Sequence, residues 1–431
     1  MKKLMTQLWD KMHYMFRKYN DRMVHVSLTY DFLIDTETFG KALTKLIDEN
    51  PVLHSSFVYN PVNPYWLENE YSKSEVFSVL NNPINLDAAV EAFLLQEIKP
   101  ENNVQMKVKI FNFKGQSTVC LIVNHMCMDG GALKEFLSEL MSTYDKFLNG
   151  ENVEIKEEKS RSHREIYSQM DEEMAKEAKR LFKNPSPKDK HGLPFAEPKD
   201  SDKSFIVKRK ISSDTFLEMK SAGKKIGATV NDVLVAAFLQ TVYEIGNYDA
   251  NDSITVSCAM DLRKRYLSDM ESIGHTNHTA FMGCTLDGKS HDMVGALERV
   301  RDINMENKSD SFQGLYGLPL LDLAYGIMPY ALAEEVIKLG YSNPLLAMSN
   351  IGVLDTKALS LEGNAPVDGF MTGAVKFKPF SLMSATTMNN EMTLAFCERG
   401  SEEDKEMLEN FFDILEENIS ELVLKLNTKI A

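Results

Sequence analysis

Residues Val119-Cys120-Leu121-Ile122-Val123-Asn124-His125-Met126-Cys127-Met128-Asp129-Gly130-Gly131 decide how this chain is read. The first five form a short, unbroken apolar run rich in branched side chains, the pattern of a buried strand. After Gly131 the apolar residues Leu133, Phe136, Leu137, Leu140, Met141 and Tyr144 recur at three- and four-residue steps, as on one face of a helix. A histidine is therefore placed in the turn between strand and helix, with an acid and two glycines behind it. Imidazole titrates near neutral pH and can take a proton from an attacking hydroxyl or amine. Glycines let the backbone come close to a substrate. The plainer alternative is a core histidine satisfied by a backbone carbonyl; the loop position and the glycines favour acid–base chemistry.

Upstream, Val24 to Tyr30 is strand-like, and Asp35 to Glu49 has helical spacing that stops near Asn50-Pro51. Val104, Met106, Val108 and Ile110 alternate as in a strand, and Lys114-Gly115 offers a hairpin turn into the strand before His125. From Asn149 to about Asp202 the chain becomes charged and then rich in Pro, Lys and Asp, as in Asn184-Pro185-Ser186-Pro187-Lys188-Asp189-Lys190. That reads as a solvated crossover with a helix near residues 160 to 182. Downstream strands are expected at Ser204–Ile211, Ser253–Met260, Thr279–Leu286, Phe370–Phe377, Phe380–Met388 and Met392–Cys397, the last two joined by Asn389-Asn390-Glu391. Glu402 to Leu426 reads as a helix with Leu408, Phe411, Phe412, Leu415 and Ile419 on its apolar face. Both halves mix strands and helices, which predicts an α/β chain of two α+β sandwiches. The expected boundaries are residues 1–150, a polar crossover 151–202, and 203–431.

Composition bounds the function. At 431 residues the chain is long for one core, so two subdomains are the default. The net charge of −15 argues against nucleic acid, which calls for a basic face, and equally against an anionic membrane surface. There is no run of about 20 apolar residues, so no membrane span is expected. Asp10, Lys11, Arg17 and Lys18 interrupt the start of the chain, which argues against a signal peptide. The five cysteines, Cys120, Cys127, Cys258, Cys284 and Cys397, form no CxxC pair and read as reduced core residues of a cytoplasmic protein. Cys127 lies two residues after His125, where a nucleophilic thiol is conceivable; nothing else basic is near in sequence, so a spectator is the better reading.

His-x-x-x-Asp-Gly after a buried strand resembles the active-site signature of the acyltransferases that share the chloramphenicol acetyltransferase fold. They include the condensation domains of non-ribosomal peptide synthetases, alcohol acetyltransferases, wax ester synthases and plant acyltransferases. Many members carry a His-His pair; here Asn124 takes the first place, and the resemblance assigns the chemistry to the second, His125. Further segments are similar to the family in the expected order: Asn50-Pro51-Val52-Leu53, Gly227-Ala228-Thr229-Val230-Asn231-Asp232, and Asp261-Leu262-Arg263-Lys264-Arg265 followed by Gly274-His275-Thr276-Asn277. Ser349-Asn350-Ile351-Gly352 completes the series. The Asp-Phe-Gly-Trp-Gly segment of the plant branch is absent. The resemblance implies two related chloramphenicol acetyltransferase-like subdomains with a channel between them and His125 at its middle, a common place for a site.

Several of these residues also have structural readings. Thr229 and Asp232 have the spacing of a helix N-cap box. Trp66, in a Pro-x-Trp segment similar to the wax ester branch, reads as packing. Arg263 is either a solvated charge or the partner of Asp129; the superfamily implies the pair, which would hold the histidine loop while Asp129 faces away from substrate. The oxyanion of a tetrahedral intermediate would be met by the Gly130 N–H, the Ser349 hydroxyl or the Asn350 amide, in open order. His275 and His278 lack the spacing of a metal motif, and no metal is expected.

The implied reaction is acyl transfer from a thioester to a small-molecule hydroxyl or amine acceptor. No permanently bound cofactor is expected; acyl-CoA or a phosphopantetheine thioester would be the co-substrate. A free-standing enzyme using acyl-CoA is the first expectation. The alternatives are a condensation-type protein that docks a carrier protein and a non-catalytic relative that only binds a ligand. Carriers are typically acidic, and Lys188, Lys190, Lys224 and Lys225 would supply part of a receiving patch.

Overall fold

A sheet of five strands organises the first half in the computed structural model, which describes residues 2–154, 159–168, 172, 176–177, 190–266 and 274–428. Its order is Asp368–Thr372, Met23–Tyr30, Gln116–Asn124, Met106–Phe113 and Phe77–Asn81. Lys114 and Gly115, with φ of 51° and 83°, make the tight turn that pairs Phe113 with Gln116. The helices Thr36–Asp48 and Gly130–Leu148 share a core with this sheet through Phe39, Leu43, Leu133, Phe136, Leu137 and Leu140. Each such fully buried side chain contributes roughly 1.5–3 kcal/mol. A small sheet of Lys3–Met5, Tyr65–Glu68 and Ser55–Val58 completes this half.

The second sheet runs Thr279–Asp287, Ser253–Asp261, Leu346–Val353, Ser381–Met388 and Glu391–Gly400, with Lys203–Ile211 and Lys376–Phe377 both paired to the last of these. Asn389 and Asn390, at φ of 52° and 61°, form its hairpin turn. The helix Val230–Ile245 is buried almost all round, packed against Met293–Ser309 and Glu402–Thr428. Thr229 and Asp232 do form a capping box at its start.

One expected strand is two. Phe370–Phe377 divides into Asp368–Thr372, an edge of the first sheet, and Lys376–Phe377, part of the second, so residues 373–375 pass from one subdomain to the other. The helix expected near residues 160 to 182 and the Asn184-to-Asp189 run, with Lys188, lie largely outside the described residues; Glu165–Ser168, Glu172, Lys176 and Glu177 are described as helical. The sequence did not lead us to expect the helices Leu8–Met15, Met293–Ser309, Leu318–Ile327 and Tyr330–Gly340, or the strand Leu346–Val353. No single described helix is long and apolar enough to cross a membrane.

Candidate active site

The strand Gln116–Asn124 delivers His125 into a loop held by its own neighbours. Asn124 is buried; its amide oxygen accepts from the Met126 N–H at 3.1 Å and its nitrogen donates to Gln105 Oε1 at 2.9 Å. The Cys127 N–H closes the turn onto the Asn124 carbonyl at 2.8 Å. The first position of the motif is thus a structural amide here. From outside the loop, Arg161 Nη2 donates to the carbonyls of Met126 and Cys127, both at 3.3 Å, and pairs with buried Asp10 at 3.0 Å. Asp10 also accepts from Trp66 Nε1 at 2.8 Å, so Trp66 is packed and spoken for.

Asn277 settles the tautomer of His125. Its amide nitrogen donates to the carbonyls of His125 (2.8 Å) and Met126 (3.3 Å), which leaves its oxygen to face His125 Nδ1 at 3.0 Å. An amide oxygen only accepts, so Nδ1 carries the hydrogen and the lone pair lies on Nε2. Burial pushes the imidazole below its ordinary pKa, against the Asp129 charge and the Asn277 bond that pull it back. The ring is a neutral base at neutral pH. His13, from the helix Leu8–Met15, stacks on it with centroids 4.2 Å apart. Neither the stacking partner nor the role of Asn277 was singled out from sequence, although Asn277 lay in a matched segment.

Asp129 caps the helix Gly130–Leu148 by accepting from the Ala132 N–H at 2.9 Å. The same carboxylate accepts from Arg263, from the His278 N–H at 2.7 Å and from the Thr279 hydroxyl at 3.0 Å. Burial alone would raise its pKa; the Arg263 charge and these hydrogen bonds outweigh it and hold the carboxyl well below the usual range. Arg263, 1% exposed, also grips Asp261 at 3.0 Å. Asp129 therefore faces the frame and not the cavity. A side chain at Gly131 would collide with the Arg263 guanidinium, which explains the second glycine.

His125, Gly130, Ser349 and Asn350 line one cavity of about 190 Å³ between the two subdomains. Gly130 opens the helix, where no intrahelical acceptor exists for its N–H and the helix dipole is positive. Ser349 and Asn350 come from Leu346–Val353, where the pairing shifts between Asn350 and Gly352. Asn350 uses its oxygen to accept from the Gly352 N–H at 3.0 Å, and its nitrogen lies 3.4 Å from Asn231. Cys127 is buried with its thiol pushed far up by desolvation, as a spectator would be. His275 Nδ1 lies 2.9 Å from Asn50 Oδ1 and its Nε2 3.5 Å from Glu139, while His278 is buried behind Asp129. Lys224 and Lys225 end the helix Ser213–Lys225, with Lys225 bonded to Asn427 at 2.7 Å, away from the cavity wall.

Comparison with known proteins bears on the family and the fold. Residues 11–277 match the family model of the condensation domain. One of the subunits of the mycosubtilin synthase of Bacillus subtilis is 18% identical over 409 residues, which is 89% of this chain but only 15% of that protein. Among solved structures, TRI3 trichothecene 15-O-acetyltransferase of Fusarium sporotrichioides has a TM-score of 0.71 at 12% identity, covering 96% of this chain and 94% of that one. Polyketide synthase associated protein 5 from Mycobacterium tuberculosis gives 0.68 at 14%, covering 97% and 98%. The first condensation domain of the CDA synthetase gives 0.66 at 12%, covering 98% and 97%. At these identities the structural likeness is one of fold, the paired subdomains of the chloramphenicol acetyltransferase type. With its family model spanning more than half of the residues, the chain belongs to the condensation-domain family.

Proposed function

We propose that this protein transfers an acyl group from acyl-CoA to a hydroxyl or amine, with His125 as general base. The observation that carries the reading is the Nε2 lone pair of His125, set by Asn277 on the far side of the ring and open on the cavity between the subdomains. Nε2 takes the proton of the acceptor as its oxygen or nitrogen attacks the thioester carbonyl. The tetrahedral oxyanion is met by the Gly130 N–H and the Ser349 hydroxyl; Asn350 is partly committed to Gly352 and Asn231. One such donor is worth roughly 3–4 kcal/mol. Collapse breaks the C–S bond, and the imidazolium returns its proton to the leaving thiolate, so the base is regenerated without an acyl-enzyme. Asp129 and Arg263 position the loop and touch no reacting atom.

A carrier-protein thioester is the second reading, favoured by the condensation domains among the structural relatives. Against it stands the net charge of −15, which disfavours the docking of an acidic carrier. A thiol-release assay with acetyl- and longer acyl-CoA against a panel of alcohols and amines tests the choice. Acceptor-dependent release should fall by roughly 10²–10⁴-fold in His125→Ala. No release from any CoA thioester, with transfer from a loaded carrier protein, would overturn the CoA assignment.

A further inference from the structure

The cavity wall holds a cation with no carboxylate in contact among the described residues. Lys376 follows the crossing residues 373–375 and shares the wall with His13, His125, Asn20, Asn343 and Ser381. Among the described residues, no carboxylate lies within 4.0 Å of its Nζ. Two acids lie in its neighbourhood, Asp21 and its cross-strand neighbour Glu398, and neither forms an ion pair with it. Asp21 Oδ1 accepts from the N–H groups of Met23 (3.0 Å) and Val375 (2.9 Å). Glu398 Oε1 accepts from the Ser381 hydroxyl (3.0 Å) and the Leu382 N–H (3.4 Å), and its Oε2 is buried without a partner. Burial pushes Asp21 up to about 7 and Glu398 up to about 8, so neither is a full counter-charge at neutral pH. Burial pulls the Lys376 ammonium below its ordinary value, against the opposing pull of Glu398 and Asp21.

Lys376 is half-buried, so its ammonium has lost part of its hydration without a contacting carboxylate, and a bound anion offsets that cost. Two sources of anion are separable by reach. The phosphates of CoA lie a whole pantetheine chain away from the thioester carbonyl. A lysine on the same cavity wall as the base is placed to read a charge nearer the reacting atoms than those phosphates. We propose that Lys376 binds a substrate carboxylate, and that the acyl acceptor is an amino acid or hydroxy acid whose carboxylate docks there while its amine or hydroxyl meets His125 Nε2. This rests on the acyl-transfer reading above.

The test compares a panel of α-amino and α-hydroxy acids, each beside its carboxamide, on the full chain with acetyl- and octanoyl-CoA. A carboxylate held by a charged hydrogen bond predicts a kcat/KM ratio of acid to amide of roughly tenfold to a hundredfold. The ratio should fall towards unity in Lys376→Met, which keeps the apolar stem, and be retained in Lys376→Arg, which keeps the charge. Thiol release without an acid preference in the wild type, or a preference unchanged in Lys376→Met, overturns the subsite and leaves acyl transfer standing. A succinyl-CoA over butyryl-CoA preference that is lost in Lys376→Met, with no acceptor preference, overturns the acceptor assignment by placing the carboxylate on the acyl group. Saturation-transfer NMR of the same acids and amides without any donor separates the two readings. Acid binding that is lost in Lys376→Met supports the subsite even where no thiol is released; equal binding of acid and amide overturns it.

Discussion

Asp129 is a buried charge and Lys376 a half-buried one near His125, and the chain treats them in opposite ways. The carboxylate receives hydrogen bonds from Ala132, Arg263, His278 and Thr279, and none of its capacity points at the cavity. The ammonium faces the cavity and has no acid in contact with it among the described residues. A fully paired charge fixes geometry, because every displacement breaks several bonds at once. An unpaired one lowers its energy only when something else arrives. The first belongs to the frame that aims the histidine, and the second to what the histidine acts upon.

That contrast is breakable. The largest effect is expected in Arg263→Met, which leaves the Asp129 carboxylate buried without its cation; such a loss costs about 3–5 kcal/mol, read by urea unfolding. Lys376→Met removes no pair and should leave stability unchanged or raised. Comparable losses in the two variants would erase the distinction between them.

Acid sharpens the contrast further. Asp129 has its native pKa depressed, so its contribution to stability is present above the unfolded carboxylate value of about 3.9 and is lost as pH falls through the lower native value. Unfolding free energy should therefore decline on the acid side of that value, and the decline should weaken in Arg263→Met. His125 behaves differently because burial lowers an imidazole. The kcat/KM of the proposed reaction should persist down to a pH below about 6.5 and then fall as Nε2 takes a proton. An acid limb above that value would contradict the buried neutral base. The smallest effect is expected in His13→Ala, where loss of the stack costs about 0.5–1.5 kcal/mol, or a few-fold in kcat/KM, restored by His13→Phe.

Local pattern made one half of the site readable. The branched run before Asn124 and the three- and four-residue spacing after Gly131 are properties of contiguous residues, and they place His125 between a strand and a helix. The contact of Asp129 with Arg263 spans 134 positions and leaves no trace in periodicity; only the family resemblance pointed to it. Asn277 acts through a side-chain amide whose orientation depends on carbonyls far away in sequence. The helix carrying His13 had a signal, with Leu8, Met12 and Met15 at helical spacing, but its charged residues drew the reading towards the question of a leader. Lys376 was hidden inside what read as one continuous strand, because nothing in alternation reveals that a chain changes sheets after Thr372.

That change of sheets has a mechanical side. Residues 368–372 are bonded to Met23–Tyr30 while residues 376–377 are bonded to Glu391–Gly400, with Asp21 and Tyr19 also holding the segment from the first half. The two subdomains are stitched together across the cavity by this crossing. Swinging them apart on one hinge would unzip the stitch, so residues 373–375 act as a seam that resists opening of the cleft whose wall they help to form.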